Sequence, residues 1–135
     1  MPHLLVEYSA NLEADLVPRA LAEALHAAAL ETGVFPIGGC RTRLARRDVY
    51  VIGDGHADNC FIHVQARIGA GRPPEVRQQA AEQIFARLKA ITAPVFSTRP
   101  LGLTLEIVEI DPVGSLKHNN LHAIIAQRQA ARQSP

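Results

Sequence analysis

At 135 residues, 47% hydrophobic and 20% charged, the chain has the make-up of one globular domain able to bury a core, and it is not a disordered segment. Fourteen basic against thirteen acidic residues leave a formal net charge of +1, so no basic field argues for nucleic acid and no polybasic stretch for a membrane surface. No apolar run approaches the roughly 18 residues of a membrane-spanning helix. The opening has no secretory leader pattern, and two cysteines, Cys40 and Cys60, do not make a disulfide framework, so a cytoplasmic protein is expected.

The opening "MPHLLVEYS" alternates Leu4, Val6 and Tyr8 with His3, Leu5 and Glu7, which predicts a strand from residue 2 to about 8. A proline directly behind Met1 suits removal of Met1 by an aminopeptidase, which would leave a secondary amine at Pro2. While Met1 is attached, the Pro2 nitrogen is an amide and has no basic lone pair.

In "EADLVPRALAEALHAAALETG", Val17, Leu21, Ala24, Leu25 and Ala28 share one face at helical spacing, with Asp15 as N-cap, Pro18 in the first turn and Gly33 as the stop. After the connection "FPIGG", the segment "CRTRLARRDVYVI" alternates Cys40, Thr42 and Leu44 against Arg41, Arg43 and Ala45. It reads as a second strand, bent or split near Arg46 to Asp48. "GDGHADN" is a turn by composition.

A second copy of this plan begins at "CFIHVQARIG", whose Ile62, Val64, Ala66 and Ile68 face one way. A helix follows, opened by Pro73 and Pro74, striped by Val76, Ala80, Ile84, Leu88 and Ile91, and ended before Pro94. "LGLTLEIVEI" supplies the fourth strand.

The fold expected is α+β: two βαβ units, about 2–52 and 59–110, forming a four-stranded mixed sheet with both helices on one face, and a tail at 111–135. The other face, carrying Leu5 and Val108, needs a partner, so an oligomer is expected. The tail has a short amphipathic stretch through Leu121, Ile124 and Ile125 before it frays into "QSP".

Two βαβ units with Pro2 heading the first strand resemble the tautomerase superfamily, in which an amino-terminal proline is the catalytic base. Within it, "MPHLLVEYS", "TGVFPIGGCRTR", "IGAGRPPEVRQQA" and "KHNNLHA" together resemble the 5-carboxymethyl-2-hydroxymuconate isomerase family. The tail from about Gln127 runs past the family's usual end.

The resemblance implies a cofactor-independent isomerase of homoprotocatechuate degradation, in which Pro2 is the base while Arg41 and Arg72 bind substrate carboxylates and polarise the dienolate. It also implies a small anionic tri-acid substrate and a homotrimer whose six βαβ units enclose a central barrel, with three sites near subunit boundaries. Arg72, between "IGAG" and the Pro-Pro helix start, sits where backbone N–H groups favour anions, which suits a carboxylate site. Arg43, Arg46 and Arg47 read as solvated or interface charges. Two alternatives stay open: a tautomerase for another enol acid, and a non-catalytic trimer that holds an anionic metabolite.

No metal is expected. His118 and His122 stand four apart in "HNNLH", and His56 and Cys60 flank a turn, but neither pair has the three or four ligands of a zinc site. "IGAG" and "GDGHAD" are turns, because no strand–GxGxxG–helix surrounds them.

Overall fold

The computed structural model describes residues 1–133, so the expected fraying at Ser134 and Pro135 lies outside the described residues. The elements in order are β1 (His3–Ser9), a 3-10 turn (Ala10–Ala14), α1 (Pro18–Glu31), β2 (Arg41–Arg47), β3 (Cys60–Gly69), α2 (Pro74–Phe96), β4 (Leu101–Ile110) and α3 (Leu121–Gln133). The sheet order is β2-β1-β3-β4, with β1 parallel to β2, antiparallel to β3, and β3 parallel to β4. It is the four-stranded mixed sheet expected. Both helices pack on one side of it, α1 against β2, α2 against β4, and each against the other.

Period-two alternation explains the core. Leu4, Val6 and Tyr8 of β1 and Ile62, Val64, Ala66 and Ile68 of β3 are buried under Leu21 and Leu25 of α1 and Ile84 and Leu88 of α2. Each such aliphatic side chain contributes about 1.5–3 kcal/mol on leaving water. The other sheet face is largely polar: Arg43 meets His3, Arg47 pairs with Glu7, and His63 reaches Thr104 and Glu106. Leu5 and Val108 stand half-buried within this lattice.

Four boundaries differ from the sequence reading. Asp15 closes the 3-10 turn, while Val17 precedes α1 with Pro18 as its first residue, so Val17 is exposed and lies outside the apolar stripe. Asp15 is drawn away by an ion pair to Arg99 at 3.0 Å. Next, β2 stops at Arg47 because its partner β1 stops at Ser9, the residue it faces, so "VYVI" has no strand to pair with and Val49 and Val51 are exposed.

Pro94 lies inside α2, in its last turn. Burial of Thr92 and Val95 holds the helix on past the proline, and the Ser97 and Arg99 N–H groups continue the bonding to Ala93 and Val95. Finally, the tail's amphipathic stretch extends as helix through Gln133. Among the described residues, no helix is long and apolar enough to cross a membrane.

Candidate active site

The strand pairing decides what surrounds Pro2. Because β1 and β3 run antiparallel, with His3 facing Arg67, the start of β1 lies beside the end of β3, and the chain leaving β3 reaches Arg72 nearby. Because β1 and β2 are parallel, β2 starts at the same end, where the Arg41 N–H donates to the Pro2 carbonyl at 3.1 Å. Pro2, Arg41 and Arg72 therefore meet at one end of the sheet, although Pro2 and Arg72 stand 70 positions apart in the chain.

A cavity of about 480 Å³ opens there, lined by Met1, Pro2, Val34, Gly39, Ile68 and Arg72. Pro2 is buried beneath Met1. The Arg72 guanidinium donates to the Gly69 carbonyl at 3.2 Å and the Val34 carbonyl at 3.0 Å, which commits two of its five N–H donors and ties the loop after α1 to the end of β3. The helix start beside it offers fewer donors than the sequence suggests. Pro73 and Pro74 carry no N–H, and the Val76 and Arg77 N–H groups are bonded to the Pro73 carbonyl. Arg72 therefore carries the anion-binding capacity of this corner mainly through its own fork.

Arg41 lies behind Met1 rather than in the open cavity. Its Nη1 donates to the Gly39 carbonyl at 2.8 Å and to Met1 Sδ at 3.2 Å.

The remaining wall comes from the segment after β4, which also places Lys117, Asn119 and His122 on the cavity. Asn119 Nδ2 donates to the Gly38 carbonyl at 3.2 Å and to Met1 Sδ at 3.1 Å. His122, in the first turn of α3, rests on the glycine pair of "FPIGG", and Gly38 and Gly39 are both buried. Burial first, then Lys117, and then Arg41 and Arg72 push the amino terminus below its ordinary 8.0, because each disfavours a further positive charge.

These features fix a location and a charge pattern: an amino terminus in a cavity ringed by cations. The model of the family described as 5-carboxymethyl-2-hydroxymuconate isomerase matches residues 2–125. An Escherichia coli relative, 5-carboxymethyl-2-hydroxymuconate Delta-isomerase, is 40% identical over 126 residues, 92% of this chain and 98% of that protein. The chain belongs to this isomerase family.

A solved structure of a family member, the 5-carboxymethyl-2-hydroxymuconate isomerase from Deinococcus radiodurans R1, superposes with a TM-score of 0.84 at 36% identity, covering 92% of this chain and 93% of that one. A more distant likeness, a fused 4-OT wild type asymmetric trimer, shares the fold at a TM-score of 0.63 and 17% identity over 91% of this chain and 98% of that one. The isomerase-family match ends at residue 125, within α3, and the rest of that helix carries no buried residue.

The structure brings together Pro2, Arg41 and Arg72, the residues that the sequence pattern singles out, and adds Lys117 and Asn119, which it does not. The sequence signal for these two is "KHNNLHA" itself, one of the segments that carry the family resemblance. His118 is exposed, and His122 packs on Gly38.

Proposed function

We propose that the protein is a cofactor-independent isomerase that converts 5-carboxymethyl-2-hydroxymuconate into its 2-oxo-3-ene isomer in homoprotocatechuate degradation, with Pro2, freed of Met1, as the general base. The observation that carries the proposal is that Arg72 and Lys117 share one cavity with the Met1-capped start of the chain, with Arg41 beside them behind Met1, all three close enough to act on the amino terminus. Three cations suit a tri-acid, and the same cations would lower the pKa of a Pro2 amine freed at this place.

In the proposed reaction the neutral Pro2 nitrogen takes the proton of the 2-hydroxyl, which leaves a dienolate. The prolinium then returns a proton to C-5, so an O–H bond is broken, a C–H bond is formed and the base is restored. Arg72 anchors a carboxylate with its free N–H groups. Arg41 stabilises the developing charge near Pro2, electrostatic help of the kind that is commonly the largest part of catalysis.

The functional unit in this proposal is a homotrimer in which the open sheet faces turn toward one another. Their charges of both signs, Arg43 and Arg47 with Glu7 and Glu106, suit a polar subunit contact. A cytoplasmic setting fits two free thiols, Cys40 and Cys60.

The test is an assay of ketonisation of 5-carboxymethyl-2-hydroxymuconate by protein shown by intact mass to lack Met1, run beside phenylpyruvate enol. Fast turnover of the tri-acid with little turnover of the mono-acid is expected. No acceleration of the tri-acid over buffer overturns the assignment, and a preference for the mono-acid replaces it with a tautomerase for another enol acid.

A further inference from the structure

Two side chains far apart in the sequence aim N–H donors at a single atom of the residue before Pro2. Arg41 Nη1 and Asn119 Nδ2 reach Met1 Sδ at 3.2 and 3.1 Å. A thioether sulfur is a weak acceptor, whereas a converging amide and guanidinium are matched to an anionic oxygen.

The orientation of the Asn119 amide is determined by its neighbours. Its Oδ1 accepts the Leu121 N–H at 2.7 Å in an Asx turn leading into α3, and its Nδ2 donates to the Gly38 carbonyl. Exchanging the two ends would set a donor against a donor and an acceptor against an acceptor. The amide is therefore held with its N–H groups toward the Met1 sulfur and the cavity.

Removal of Met1 would take away the sulfur and leave the pair of donors, together with the space the methionine side chain filled, next to the Pro2 nitrogen. Building on the isomerase reading above, we propose that Asn119 is a substrate-binding residue, donating from Nδ2, alongside Arg41, to an oxygen at the 2-hydroxydienoate end of the substrate. The C-terminal segment thereby completes the site and does more than cover it. Arg41 supplies the charge, and Asn119 supplies a neutral donor whose direction is fixed by the turn before α3.

That turn makes the proposal separable from a structural role. Asn119→Asp keeps an acceptor for the Leu121 N–H but turns an oxygen toward the substrate's oxygen. Asn119→Ser keeps a hydroxyl that can accept the Leu121 N–H but is too short to reach the cavity. With wild-type protein lacking Met1 and active on 5-carboxymethyl-2-hydroxymuconate, each variant should keep the wild-type thermal midpoint and lose about 10- to 100-fold in kcat/KM, the range of a hydrogen bond to a charged oxygen. The aspartate variant should fall further. If either variant is folded and within threefold of wild type, Asn119 only holds the turn before α3 and the inference fails, while the isomerase assignment stands. If the wild type itself does not turn over the tri-acid, the assignment fails first.

Discussion

Gly38 lies directly beneath His122: a methyl group on Gly38 would stand 2.7 Å from the His122 Cα. Backbone here meets backbone, so a larger residue at 38 cannot be accommodated by turning a side chain. This single close approach docks the start of α3 on the loop that leads into β2, and so holds Asn119 and Lys117 over Pro2.

Gly38→Ala should therefore lift the first turn of α3. Because α3 has no buried residue, the thermal midpoint should change little while kcat/KM falls about tenfold or more through loss of an oriented donor. Hydrogen exchange at residues 119–125 should quicken in step. Unchanged activity would mean that the segment does not shape the site.

The two arginines should differ in their kinetic signature. In the proposed reaction Arg72 would anchor a carboxylate in ground state and transition state alike, so Arg72→Ala should mainly raise KM; Arg41 would share the oxygen site beside Pro2, so Arg41→Ala should lower kcat as well. Each should cost about 2–5 kcal/mol in kcat/KM, as expected where a buried charge loses its partner. Steady-state kinetics on the tri-acid decide this.

The pH dependence follows from the cations around the amino terminus. Burial and these cations push the Met1 amine below its ordinary 8.0, and the same cations would lie beside a Pro2 amine freed of Met1. Only the neutral amine accepts a proton, so activity should be lost as pH falls through its pKa, and a lowered pKa moves that loss to lower pH. The kcat/KM profile should rise along an acidic limb and level off toward alkaline pH. Lys117→Gln removes the largest of the nearby charges that lower the pKa, so its limb should shift to higher pH. Coincident limbs for the two proteins would separate Lys117 from the base.

In the core, Leu88 of α2 is fully buried against the sheet. Leu88→Ala should cost about 2–5 kcal/mol of stability in a denaturant titration, from lost burial plus the cavity left behind.

The fold was legible where burial imposes a period. "CFIHVQARIG" is one strand in sequence and structure, because every second side chain enters the core. Where an element ends was less legible, since ends depend on partners distant in the chain: β2 stops with Ser9 of β1, and α2 outlasts Pro94 because Val95 is buried. The site divides in the same way. Pro2, Arg41 and Arg72 adjoin strand or helix starts and carry a recognisable pattern. Lys117 and Asn119 sit in a segment of no periodicity, and only the return of the chain after β4 brings them to Pro2.

The most direct measurement compares the tri-acid ketonisation rate of two preparations of this protein: one shown by mass to begin at Pro2, and one carrying a lysine between Met1 and Pro2 so that the extension is retained. A free Pro2 amine as the base predicts fast turnover in the first and a loss of at least a thousandfold in the second, with both folded and of equal thermal midpoint. Equal rates in the two would contradict it, since an amide nitrogen at Pro2 cannot take the proton.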